Sequence, residues 1–191
     1  MRLGIFGGTF DPPHIGHLLA AVDAVERLTL DRMVLVPASV QPLKADAKVA
    51  DARHRLAMTR LLVEGDDRFA VDPLEIERAG LSFSVDTLRT FAERYPAGER
   101  FFVVGADVLR TFERWREPEE VLRLATLVVM TRESDGEASG GNVPGGGRVI
   151  PSRRIDVSST EIRARVSAGR SLHGFVPDSI AAYIAAHGLY R

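Results

Sequence analysis

The sequence contains no cysteine, which removes disulfides and thiolate-held metals and leaves the redox compartment unencoded. Net charge is nearly absent as well: 25 Lys and Arg stand against 26 Asp and Glu, for a balance of -1. No global basic field therefore exists to draw the chain onto nucleic acid or an anionic membrane, and any phosphate binding must be local. No apolar run approaches the ~20 residues of a membrane-spanning helix, and no charged leader precedes the first apolar segment, Leu3-Gly4-Ile5-Phe6. A cytoplasmic protein is the resulting expectation. Internal repeats are also lacking, and a single tryptophan, Trp115, is present.

What is there is 191 residues, 45% hydrophobic and 27% charged, enough for one sizeable core and too few for two ordinary domains. One domain over residues 1-191 is expected. Short apolar runs at Leu3 to Phe6, Met33 to Val36, Arg68 to Val71, Phe101 to Val104 and Leu127 to Met130 read as strands. Between them, Leu18 to Leu28, Asp51 to Val63 and Val85 to Tyr95 carry apolar residues at helical spacing. Strand and helix in alternation predict an α/β fold: an open, doubly wound parallel sheet, Rossmann-like, with helices on both faces. Near the end come a short strand at Val149-Ile150, a helix from about Ser159 and a last helix from Pro177 to Ala186, a C-terminal helical segment. Arg132 to Arg148, rich in Gly and Ser, is expected to be a mobile surface loop; it lacks the Lys-Ser/Thr ending and the following helix of a phosphate cradle.

In doubly wound sheets ligands bind outside the carboxyl ends of the strands. The first strand ends in Gly7-Gly8-Thr9-Phe10-Asp11-Pro12-Pro13-His14-Ile15-Gly16-His17 and enters a helix directly. Two glycines let the backbone turn sharply and approach a ligand, and a helix N-terminus adds free N–H groups suited to phosphate. Two prolines stiffen the turn, and Asp11 is a candidate cap for it. His14 and His17, three apart, fall on one face of a first helical turn. A metal pair is the competing reading; without cysteine, a third histidine nearby or a His-Glu-x-x-His pattern, anion binding is favoured. A second cluster is Asp156-Val157-Ser158-Ser159-Thr160-Glu161-Ile162-Arg163, where Ser158 or Ser159 can cap a helix and Arg163 can clamp a polyphosphate. His54, His173 and His187 stand outside any motif and are read as structural or exposed.

Taken together, the Gly7 to His17 stretch and Ser158-Ser159-Thr160-Glu161-Ile162-Arg163 resemble the two signatures of the nucleotidylyltransferase superfamily. Ser82 to Leu88, Gly105 to Trp115 and the closing Gly188-Leu189-Tyr190-Arg191 narrow the resemblance to bacterial nicotinate-mononucleotide adenylyltransferases, over nearly the whole chain except Arg132 to Arg148. The resemblance implies ATP binding by Gly7, Gly8, Thr9, Phe10, His14, His17, Ser158, Ser159, Thr160 and Arg163, and catalytic roles for His14, His17, Lys44 and Arg163. It implies that Phe10, Ser84, Gly105, Asp107 and Trp115 hold the acceptor, with Trp115 stacked on the pyridine ring. The family often has His where Leu43 stands here, and Tyr-Thr where Phe83-Ser84 stand.

The implied partners are ATP, with Mg²⁺ borne by the substrate and no protein metal site, and nicotinate mononucleotide. Nucleic acid and membrane are not expected; a homo-oligomer is left open. Four other readings compete: pantetheine-phosphate adenylyltransferase, a nicotinamide-mononucleotide enzyme, a class I aminoacyl-tRNA synthetase and a catalytically silent nucleotide sensor. The Gly105 to Trp115 stretch argues against the first. The lack of an anticodon-binding region and of basic surface argues against the synthetase, and intact His14, His17, Lys44 and Arg163 against the sensor. The acid and amide acceptors differ by one group, and the sequence separates them weakly.

Overall fold

The computed structural model describes residues 1–42, 49–109, 111–132, 143–153 and 155–191, without the side chains of 107, 108 and 132. Lys44, Leu43 and most of the expected Gly-rich loop thus lie outside the described residues.

In chain order the elements are β1 (Arg2–Gly8), α1 (Ile15–Leu28), β2 (Arg32–Pro37), α2 (Ala52–Leu62), β3 (Phe69–Val71), α3 (Leu74–Arg78), α4 (Ser84–Arg94), β4 (Glu99–Gly105), α5 (Ala106–Leu109), α6 (Pro118–Leu124), β5 (Thr126–Arg132), β6 (Arg148–Ser152), α7 (Ser159–Ser167) and α8 (Asp178–Ala186). The six strands form one sheet in the order β3-β2-β1-β4-β5-β6, and every neighbouring pair is parallel. This is the doubly wound architecture expected from the alternation of apolar runs.

The strands are apolar on both faces because both are covered. Met33 and Leu35 of β2, Phe101 and Val103 of β4, and Val128 and Met130 of β5 face one layer, built with α1, α2, α7 and α8. Their alternates Val34 and Val36, Phe102 and Val104, and Leu127 and Val129 face the other, built with α4 and α6. On β1 the alternation is broken by Gly4, where a Cβ would lie 2.6 Å from Leu30 and 2.8 Å from Met33. The absent side chain lets Leu30, in the turn after α1, and Met33 of β2 close down on the central strand.

Two sequence readings change. α3 and α6 interrupt stretches given no element; α6 opens on Pro118 with Glu119 and Glu120 in its first turn, both favourable at a helix start. The described end of the expected mobile loop is anchored instead of free. Val143 is buried in the core beside α6, Pro144–Gly146 form a 3₁₀ turn, and a Cβ on Gly147 would sit 2.6 Å from the Leu127 carbonyl.

Candidate active site

The strand order reverses between β1 and β4, and each of the two ends on glycine, Gly8 and Gly105. The chain leaves β1 for the α1 face and β4 for the α6 face, so a crevice opens between their carboxyl ends. Both glycine-bearing motifs singled out in the sequence flank this crevice. Gly8 has a local reason to be glycine: a Cβ would fall 2.9 Å from the Phe10 ring. Phe10 takes a left-handed φ of 50° and folds its ring back into the core, 2% exposed. Its ring thereby joins the core and meets the His17 ring edge-on at 5.1 Å.

His14 is the N-cap of α1 and His17 its third residue, and their ring centroids lie 3.8 Å apart. The shared face expected from their spacing is thus formed. The backbone N–H of His14 donates to Nδ1 of His17 at 3.2 Å, which fixes the neutral His17 tautomer with its proton on Nε2. His14 Nδ1 is buried with no hydrogen-bond partner among the described residues. Burial lowers the His14 pKa from 6.5 to about 4; burial first, and the neighbouring His14 second, hold His17 well below 6.5. Near neutrality both rings are therefore uncharged. Gly16 makes room for them, since a Cβ there would stand 3.0 Å from His14 Nδ1.

Asp11 does not cap its own turn, contrary to expectation. It is 3% exposed, and its Oδ1 accepts from the Ala50 N–H at 3.1 Å and from the Tyr190 hydroxyl at 2.7 Å. Its side chain turns to the Ala50 and Tyr190 donors, and His14 occupies the capping position of α1.

The second signature closes on the first. Ser158 is the N-cap of α7, its Oγ accepting from the Glu161 N–H at 3.1 Å. Ser159 Oγ donates to the Pro12 carbonyl at 2.8 Å. Arg163 donates through Nη1 to the Asp11 carbonyl at 2.7 Å and through Nη2 to Thr160 Oγ1 at 3.2 Å. Residues about 150 positions apart thus share one cluster of imidazole, guanidinium, hydroxyl and backbone N–H groups. Such a donor set suits polyphosphate oxygens.

One residue was missed in the sequence. Arg55 on α2 is 1% exposed and donates to the carbonyls of Ala50 (3.0 Å), Thr9 (2.8 Å), Ala38 (2.6 Å) and Ser39 (3.0 Å). It ties the turn after β1 to the turn after β2; Thr9 adds a hydroxyl bond to Gln41 Oε1 at 3.0 Å. The available signal was periodicity: Arg55 lies in the buried stripe with Met58, Thr59 and Leu62. An arginine in an apolar stripe is a buried, hydrogen-bonded arginine.

On the β4 side, Gly105 ends the strand and Asp107 falls in α5. Trp115 follows a 3₁₀ turn, its half-buried ring packed against Phe102 at 5.9 Å and Phe112 at 5.3 Å. Ser84 opens α4, where free backbone N–H groups suit a carboxylate. Phe83, lacking the phenol, is covered by the Arg116 guanidinium at 4.9 Å. His54 bonds Tyr183 OH at 3.0 Å and takes no part in the crevice.

Known proteins resemble this chain in sequence and in fold. The cytidylyltransferase-like family model matches residues 5–165. A probable nicotinate-nucleotide adenylyltransferase of Gemmatimonas aurantiaca is 50% identical, covering 100% of this chain and 93% of that protein. A protein of the same name from Thermus thermophilus is 45% identical over 100% of both chains. In fold, the chain resembles Plasmodium falciparum nicotinic acid mononucleotide adenylyltransferase complexed with NaAD, at TM-score 0.80, 19% identity and coverage of 99% and 97%.

Proposed function

The chain belongs to the nicotinate-nucleotide adenylyltransferase family, within the cytidylyltransferase-like proteins, and from that premise we propose how its residues carry the reaction. It is a nucleotidyltransferase of NAD biosynthesis that joins ATP and nicotinate mononucleotide into nicotinate adenine dinucleotide with release of pyrophosphate. An oxygen of the acceptor's 5′-phosphate attacks the α-phosphorus of ATP; the bond from that phosphorus to the β-bridging oxygen breaks, and pyrophosphate leaves with the electron pair. The attacking oxygen is already anionic, so no general base is required, and the protein acts by alignment and by donors aimed at the growing charge.

The observation that carries this assignment is the closure of Arg163 and Ser159 onto the turn at Asp11 and Pro12, beside the His14–His17 pair. In this reading Gly7 to Phe10 offer backbone N–H groups to the phosphates, and His14 and His17 contact the α- to γ-phosphates. Ser158, Ser159, Thr160 and Arg163 hold the outer ones, with Lys44 reaching in from the segment after β2. Trp115 stacks on the pyridine, Gly105 and Asp107 hold the ribose and phosphate, and the start of α4 at Ser84 takes the nicotinate carboxylate. Mg²⁺ enters as part of Mg·ATP: among the described residues the crevice supplies cationic and N–H donors, which match phosphate oxygens, whereas Mg²⁺ favours carboxylate and water oxygens. We place the reaction in the cytoplasm, between two small molecules, with no part for nucleic acid or membrane. No described helix is long and apolar enough to cross a bilayer.

The test is pyrophosphate release by purified protein with Mg·ATP and, in parallel, nicotinate mononucleotide, nicotinamide mononucleotide or phosphopantetheine. Preference for the first is expected. Equal use of the amide would remove the carboxylate role at Ser84, and turnover of phosphopantetheine would overturn the Trp115 pocket while sparing the ATP site.

A further inference from the structure

The penultimate residue, Tyr190, reaches the heart of the ATP side. Its hydroxyl donates to Asp11 Oδ1 at 2.7 Å, and the tail that delivers it packs Leu189 and Tyr190 against the α1 core. The Asp11 side chain is 4% exposed and its Oδ2, which has no hydrogen-bond partner among the described residues, lies 3.9 Å from Arg163 Nη1. That nitrogen is meanwhile bonded to the Asp11 carbonyl at 2.7 Å. A buried carboxylate needs donors to offset its charge; this one has two on Oδ1, from Tyr190 and Ala50, and a guanidinium standing off Oδ2. Burial, and then the bond to Asp11, push the Tyr190 ionisation up, so the hydroxyl remains a donor.

We propose that Tyr190 is a positioning residue for ATP binding: by holding Asp11 through Oδ1, it keeps Arg163 on the Asp11 carbonyl and free to take phosphate, instead of collapsing onto the carboxylate. The inference rests on the reading of Arg163 as a phosphate ligand. Without the hydroxyl, the under-bonded carboxylate turns Oδ2 toward the nearest mobile cation, and the triphosphate competes with Asp11 for Arg163. The C-terminal tail thus acts on one substrate and leaves the other alone.

Steady-state kinetics of Tyr190→Phe test this. The KM for ATP is expected to rise about tenfold, the scale of one charge-assisted hydrogen bond, while the KM for nicotinate mononucleotide stays near wild type and the unfolding midpoint, though lowered, leaves the protein folded at the assay temperature. Adding Asp11→Asn removes the competing charge and is expected to restore the ATP KM to within about twofold. Equal losses for both substrates, or a double variant no better than Tyr190→Phe, would overturn the proposal. Should the wild type transfer no adenylyl group to any acceptor, the reaction assignment falls separately. Calorimetric binding of Mg·ATP then decides the role of Tyr190: binding about tenfold weaker in Tyr190→Phe supports it, and equal binding overturns it.

Discussion

In the proposed reaction His17 works through a single hydrogen. Its Nδ1 is occupied by the His14 N–H, so Nε2–H is the donor left for the proposed phosphate contact, and burial keeps the ring neutral. His17→Ala removes that donor together with the edge contact of the ring to Phe10 at 5.1 Å, a local loss at the start of α1. Turnover is expected to fall by about two orders of magnitude or more with the fold kept. Measuring kcat and circular dichroism on the same purified sample checks both halves, and near-normal turnover would remove His17 from the reaction. The pairing of His14 with His17 was legible because helical spacing alone brings residues i and i+3 together. The partners of Asp11 were not: Ala50 and Tyr190 come from segments 39 and 179 residues away.

Among the elements, α2 carries the least expected load. Arg55 supplies charge-assisted bonds to four carbonyls in three separate segments. Arg55→Met nearly keeps the volume and deletes the donors, leaving the buried Ala38 carbonyl and three part-buried ones under-bonded. A loss of ~3 kcal/mol or more is expected, read as a lower urea midpoint with unchanged slope. An unchanged midpoint would mean that water replaces the guanidinium. Long elements with clear periods, such as α1 and α4, were readable in sequence, and so was the capped start of α7. The short α3 and α6, five and seven residues, span too few turns for a period to stand out. Their stability comes from what they pack against, as Val121 and Leu124 of α6 show in the core beyond β4 and β5.

For the molecule as a whole, the buried histidines set a pH response. His14 has a folded pKa near 4 and an unfolded value near 6.5, and His17 is shifted in the same direction. Between those values the unfolded chain binds more protons than the folded one, so stability rises with pH there. It is fully present above about pH 6.5 and is lost as pH falls toward 4, by up to ~3 kcal/mol for His14 alone. Unfolding midpoints measured across that window should drop, and His14→Gln should flatten the drop. A profile as steep in the variant as in the wild type would show that other groups control it.

The sequence by itself determined the parallel doubly wound sheet, because alternating apolar runs and amphipathic helices have few other ways to bury both faces. It also determined the two phosphate-suited motifs, since each is a local run whose glycines, capping serines and histidine spacing act within one turn of chain. Only the tertiary structure decided how those motifs meet. Arg163 bonding the Asp11 carbonyl, Arg55 tying two strand-end turns and Tyr190 reaching Asp11 all depend on contacts between distant segments. Those contacts follow from the crossing of helices over the sheet, and no periodicity in the chain encodes them.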